Sequence, residues 1–162
     1  MTSVNRFVVT MAWLVIIGLS LYFFFDNVIA YLYGFRSKLF GDTFFNNQFW
    51  VVAHLIGGTV SLFIGPIQFW KTIRLKYDSF HKVAGKIYIA AAFVTGLSAV
   101  HLSFVSHCIP CRPSLFLLSV LMLLATTCAL SAIKKQNIRS HQQFMIRSYV
   151  LFFLSLLYDL TS

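Results

Sequence analysis

The sequence is poor in acidic residues, with four aspartates and no glutamate among 162 residues. Hydrolases and proton-coupled transporters depend on carboxylates, so this scarcity argues against both classes. Charged residues of both signs make up only 10% of the chain, against about 25% in a typical soluble domain. Three cysteines are too few for a disulfide scaffold. No nucleotide-binding loop, serine-hydrolase elbow or zinc-protease motif is present. A soluble globular domain is therefore excluded.

Apolar residues make up 59% of the chain and are gathered in five long stretches. A membrane-spanning helix needs about 20 such residues, so the sequence predicts an all-α, polytopic membrane bundle of about five helices. We expect one transmembrane domain over residues 1–162. In the fifth stretch, Arg147 must reach back to the head groups if the helix is to span. The predicted helices cover residues 7–25, 48–70, 84–106, 114–133 and 141–161.

The basic residues are distributed unevenly between the two sides of this predicted bundle. One side holds ten lysines and arginines, namely Arg6, five residues in 71–86 and four in 134–147. The other side holds three. The positive-inside rule therefore predicts that the N-terminus and both of these basic regions lie in the cytoplasm. The net charge of +9 fits anionic membrane lipids as partners better than nucleic acid.

The second predicted helix carries small residues on one face, because Gly57, Ser61 and Gly65 are spaced four apart. Such a stripe is typical of close packing between membrane helices, and a groove for a flat ligand beside His54 is the alternative. Near the end of this helix, Pro66 and Gln68 indicate a kink with a polar side chain turned inward.

Four histidines on adjacent predicted helices could carry chemistry. His54 and His101 lie 16 and 15 residues from the ends of a shared loop, so the sequence predicts similar depths for them. They could be the two metal ligands of a b-type haem. The alternative is a pair of buried histidines that hydrogen-bond to each other or to serine and threonine. His81 and His141 each open a helix on the basic side and form a candidate second pair. Lys86 and Arg147 would then hold haem propionates, or the phosphate or quinone head of a substrate. The alternative is that these helix starts are interfacial, with lysine, arginine and tyrosine anchoring them to lipid.

The cysteine pair Cys108 and Cys111 falls in the predicted turn between the third and fourth helices, beside His107 and Arg112. A disulfide that staples the turn is one interpretation. Redox activity is the other, because nearby positive charge stabilises a thiolate.

Three histidine-centred blocks give the sequence a family likeness. From about Trp50 onward the chain resembles the bacterial predicted membrane proteins grouped as domain of unknown function family 2306. The resemblance implies a multi-pass inner-membrane protein of unestablished activity, with His54, His81 and His141 as signature histidines. It also implies relatives that continue further beyond the last block. The blocks are His54-x-x-Gly57-Gly58, then Gly65-Pro66-Ile67-Gln68-Phe69 with His81-Lys82-x-x-Gly85-Lys86-x-Tyr88, and finally His141-x-x-x-Met145-Ile146-Arg147-Ser148-Tyr149.

Three functional hypotheses follow from these features. The most specific is haem b binding with electron transfer across the membrane through the histidines. The second is a non-enzymatic membrane subunit or small-ligand carrier. The third is a thiol–disulfide or quinone-linked redox protein built on Cys108 and Cys111. A homo-oligomer or a membrane redox partner is compatible with the first and third.

Overall fold

The computed structural model describes residues 3–29 and 46–161. The chain divides into two units, Met1–Arg36 and Ser37–Ser162, which are described separately. Every regular element within the described ranges is a helix. The predicted all-α class is therefore confirmed.

In the first unit, residues 3–29 form a long helix, α1 (Ser3–Phe23), which continues as a π-helical segment over Phe24–Ile29. Its apolar side chains include several that are exposed, such as Leu14 and Val15. The hydroxyl of Ser20 donates to the Ile16 carbonyl at 2.6 Å, so this buried polar group is satisfied within its own helix. Helix α1 begins four residues before the predicted start.

Over residues 46–161, the second unit contains four long helices and two short ones. The long helices agree with the predicted ones to within a few residues, except that α4 begins six residues earlier than expected. Its first turns carry Asp78 and Lys82, which lie before the predicted start at residue 84. The helices are α2 (Gln48–Phe69), α3 (Lys71–Lys76), α4 (Asp78–Val105), a 3-10 turn (Ile109–Cys111), α5 (Arg112–Lys134) and α6 (Ile138–Thr161).

Three helical segments in the described ranges are long and apolar enough to cross a membrane. They are Gln48–Phe69, Asp78–Val105 and Ile109–Lys134. A membrane bundle is thus supported, while the spanning of α1 and α6 and the cytoplasmic N-terminus stay predictions.

The four long helices of the second unit pack in a ring. Helix α2 lies against α4, α4 against α5, and α5 against α6. Helix α6 returns to α2, where Tyr149 and Phe152 contact the glycines of its inner face. We call the end that holds Gln68, His81 and His141 the basic end, and the end that holds Cys108 and Cys111 the disulfide end.

A tight turn positions the start of α6 at the basic end. Gln136 adopts a left-handed backbone with φ of 61°, which ends α5. The Asn137 backbone N–H donates to the Ala132 carbonyl at 2.9 Å. The Asn137 side chain then accepts from the Ser140 N–H at 3.1 Å and caps α6. His141 follows in the first turn of that helix.

Candidate functional site

The middle of the α2–α4 interface is closely packed along the small-residue stripe. Gly57, Ser61 and Gly65 are all buried. A Cβ at Gly57 would lie 2.9 Å from the Ala91 carbonyl oxygen, closer than real contacts allow. The two backbones therefore touch here, which leaves no room for a flat ligand against Gly57. Packing is the role that the structure gives this stripe.

His54 is satisfied by the backbone of the neighbouring helix. Its Nδ1 lies 3.3 Å from the Thr95 carbonyl oxygen on α4. Because a carbonyl can only accept, Nδ1 carries the proton in this contact. The ring is half-buried and ties α2 to α4 near the middle of the interface.

His101 lies about one helical turn nearer the disulfide end than His54. Its ring stacks on Trp50 at a centroid distance of 4.6 Å, and its Nε2 lies 2.9 Å from the Asn47 Oδ1. Trp50 precedes His54 by four residues, about 6 Å of helix rise, so the prediction of nearly equal depth is too simple. The two histidines have separate partners in the described bundle. No group of three or more potential metal-ligating histidine, cysteine or acidic side chains occurs in the described residues. Haem ligation thus gains no support.

At the basic end, a buried glutamine from α2 lies against α4. Gln68 is 4% exposed, and neither its Oε1 nor its Nε2 has a hydrogen-bond partner among the residues that the structure describes. A Cβ placed on Gly85 would lie 3.2 Å from the Gln68 Oε1, so the amide rests against the glycine backbone. The inward orientation expected from Pro66 and Gln68 is what the structure has.

His81 stands one turn before Gly85 on the same face of α4. Its ring is half-buried, and within the described ranges its Nδ1 is buried without a hydrogen-bond partner. His141 and Arg74 lie near enough to act on it electrostatically. His81 and His141 therefore lie at the same end of the bundle, and His81 is the one that adjoins the α2–α4 contact at Gln68.

His141 is held by the end of the preceding helix. Its Nδ1 donates to the Ala129 carbonyl on α5 at 2.8 Å. This bond fixes the ring and leaves Nε2 on the side away from that carbonyl. A backbone carbonyl that holds one imidazole nitrogen is a common way to aim the other at a ligand.

Lys86 and Arg147, the candidates for holding an anionic group, point away from Gln68 and His81. Lys86 is exposed on α4. Arg147 is also exposed, and its guanidinium lies 5.1 Å from the centre of the Phe144 ring on its own helix. Neither side chain joins Gln68 and His81 in the bundle. Both are placed to meet head groups or solvent at the basic end.

Two tyrosines of the sequence motifs are core residues rather than interfacial anchors. Tyr88 is 1% exposed, and its hydroxyl lies 3.1 Å from the Ser148 hydroxyl of α6. Tyr149 is also buried and packs against Gly65. The anchor interpretation is thus wrong for both. Tyr88 follows His81 by seven residues, and this spacing is the signal that it shares the packed face.

The Tyr149 hydroxyl bonds a backbone carbonyl that Pro66 leaves without its usual donor within the helix. Proline has no N–H, so in α2 it cannot donate to the Leu62 carbonyl four residues earlier. The Tyr149 hydroxyl donates to that same carbonyl oxygen at 3.4 Å. Gly65 makes room for the tyrosine ring, because a Cβ there would collide with it. The Gly65-Pro66 pair and Tyr149 thus form one structural unit across two helices.

At the opposite end, Cys108 and Cys111 form a disulfide around the 3-10 turn. Cys111 is buried, whereas Cys108 is half-buried. The Arg112 Nε donates to the Ser106 carbonyl at 2.9 Å.

Comparison with protein families gives a match over most of the bundle. The model of the predicted membrane protein family DUF2306 matches residues 51–160. The chain belongs to this family. Curated proteins and solved structures give no match. The matched range contains His54, His81 and His141, together with Gln68, Tyr88 and Tyr149. Family membership and the apolar helices indicate a membrane protein, and the family description assigns no activity.

Proposed function

We propose that this DUF2306 protein binds a small amphiphile, whose polar head group contacts Gln68 and His81 at the basic end. The observation that carries the proposal is the unpartnered Gln68 amide. A buried polar group without a partner costs about 1–3 kcal/mol, and native proteins keep few of them. Gln68 contributes a donor and an acceptor, and the neighbouring His81 adds a third unpartnered atom. A ligand head group would satisfy all three.

The charges around this end favour an anionic head group. Residues 71–86 hold five lysines and arginines and residues 134–147 hold four, which makes nine against the single carboxylate Asp78. That carboxylate already pairs with Lys82 at 2.6 Å. Excess positive charge near a membrane surface attracts anionic lipids. The ligand class that fits best is therefore an anionic phospholipid or a similar amphiphile.

The same charge distribution underlies the proposed topology. With the basic end in the cytoplasm of a bacterium, the site would open to the inner leaflet of the inner membrane. Membrane lipids are then both the solvent of the bundle and the source of its ligand.

The test compares two glutamine variants of the full chain. Gln68→Leu removes the buried amide at nearly constant volume, whereas Gln143→Leu removes an exposed glutamine of the same end and serves as control. Native mass spectrometry after exchange into phosphatidylglycerol or phosphatidylcholine micelles measures retained lipid. We expect the wild type and the control to retain phosphatidylglycerol preferentially, and Gln68→Leu to lose about tenfold or more, the effect of roughly 1.4 kcal/mol in affinity. Equal retention by all three proteins would refute the site.

A further inference from the structure

The disulfide end carries a second candidate activity, which is independent of the basic end. Its turn is held by hydrogen bonds that do not involve sulfur. The Cys111 N–H donates to the Cys108 carbonyl at 3.0 Å, and the Ser114 hydroxyl donates to the Cys111 carbonyl at 2.8 Å. The Cys108 N–H also donates to the Ser106 hydroxyl at 3.3 Å. A disulfide that closes so short a loop constrains the unfolded chain least. Stapling therefore explains little of its presence.

The two sulfur-bearing residues differ in exposure. Cys111 is 8% exposed, whereas Cys108 is half-buried and the next residue, Ile109, is 70% exposed. An incoming thiolate therefore reaches the Cys108 side of the bond more easily. Attack there makes Cys111 the leaving thiolate. Cys111 directly precedes the 23-residue helix α5, and a helix N-terminus stabilises negative charge.

We propose that Cys108 and Cys111 form a thiol–disulfide exchange centre that oxidises a dithiol. A substrate thiolate attacks the Cys108 Sγ, the Sγ–Sγ bond breaks, and its electron pair stays on the Cys111 Sγ. The second substrate thiolate then attacks the substrate sulfur of this mixed disulfide and releases the Cys108 thiolate. The substrate leaves as a disulfide. Two electrons and two protons have passed from the dithiol to the cysteine pair.

The first experiment measures reduction of the wild-type chain by dithiothreitol, in detergent micelles and after denaturation in sodium dodecyl sulfate. Maleimide–polyethylene glycol adds one label to the oxidised chain, at Cys128, and three to the reduced chain. An exchange centre is reduced in the folded protein about as fast as in the unfolded one, or faster. If folding slows reduction by more than about tenfold, the disulfide is a shielded staple and the proposal fails.

The second experiment tests the assigned roles of the two sulfurs. Cys111→Ser and Cys108→Ser are made in a Cys128→Ser background and treated with oxidised glutathione, after circular dichroism has verified their helicity. Because Cys108 is the more exposed of the two, we expect it to form the mixed disulfide with glutathione at least about tenfold faster than Cys111. Equal rates would contradict the assignment of Cys108 as the attacked sulfur.

Discussion

The middle and the basic end of the α2–α4 interface bury different kinds of polar group. In the middle, the Thr95 hydroxyl donates to the Ala91 carbonyl at 2.9 Å, whereas the buried Ser61 hydroxyl has no hydrogen-bond partner among the described residues. At the basic end, the similarly buried Gln68 amide leaves two polar atoms without a partner in the described part of the chain. A hydroxyl can bond one turn back on its helix, which makes it inexpensive to bury in a membrane. An amide with two polar atoms needs partners from outside its helix. The two regions therefore differ: one is a packing surface, and the other is where we propose that a ligand head group binds.

The largest effect on stability is expected in the middle of the interface, where the helices α2 and α4 pack most closely. Gly57→Ala would press a methyl group against the Ala91 carbonyl, which is backbone and cannot rotate away. We expect the free energy of unfolding to fall by about 1–3 kcal/mol, the usual cost of overpacking. Circular dichroism during sodium dodecyl sulfate titration of the detergent-solubilised chain measures it.

The adjacent glycine is the matched control for this substitution. A Cβ at Gly58 would lie 3.7 Å from the Phe152 ring, an ordinary contact. Gly58→Ala should change stability by less than about 1 kcal/mol, with helix propensity favouring alanine. If both variants are destabilised equally, the middle of the interface is not the close backbone contact described above.

At the basic end, we expect a substitution to raise the free energy of unfolding rather than lower it. Gln68→Leu replaces an unpartnered buried amide with an apolar group of similar size. The ligand-free, delipidated protein should become more stable by about 1–3 kcal/mol, even though lipid retention is lost. The same titration measures it, with Gln143→Leu expected to stay within about 0.5 kcal/mol of wild type. A destabilised Gln68→Leu protein would mean that the amide has a structural partner.

Local patterns in the sequence predict the helices and one feature of the basic end. The apolar runs located all four long helices of the bundle, and Pro66 with Gln68 indicated a polar group turned inward. Local patterns do not predict contacts between residues that are far apart in the sequence. The Tyr88 hydroxyl meets Ser148, which lies 60 residues away, and no local pattern specifies that contact. The start of α4 was misplaced for another reason: polar residues can remain helical beyond the hydrocarbon, so apolar length marks the membrane rather than the helix.

Substitutions of His141 have a smaller expected effect on stability, and they distinguish a structural role of this residue from a role in ligand binding. His141→Leu removes the bond to the Ala129 carbonyl and should cost about 0.5–1.5 kcal/mol of stability. His141→Asn can place an amide N–H near the position of Nδ1 and should recover most of that loss. If Asn restores both stability and phosphatidylglycerol retention, the role of His141 is structural. Retention that stays low in a stable Asn variant would instead assign its Nε2 to the ligand. Thermal unfolding and native mass spectrometry of the same preparations give the two readouts.

The smallest effect concerns the unit formed by Pro66 and Tyr149, which lies between the two regions compared. Tyr149→Phe removes the hydroxyl that donates to the Leu62 carbonyl at 3.4 Å, and hydrogen bonds between membrane helices average about 0.6 kcal/mol. Pro66→Ala restores the N–H that can bond the same carbonyl within α2. In the Pro66→Ala background, Tyr149→Phe should therefore cost almost nothing, and a double-mutant cycle on the detergent titration measures the difference. An unchanged cost would show that the ring packing against Gly65, and not the hydroxyl, joins α6 to α2. A coupling of the expected sign would explain why the Gly65-Pro66 pair and Tyr149 occur together. Pro66 removes the helical donor to the Leu62 carbonyl, Gly65 leaves space for the tyrosine ring, and the Tyr149 hydroxyl donates to that carbonyl from α6.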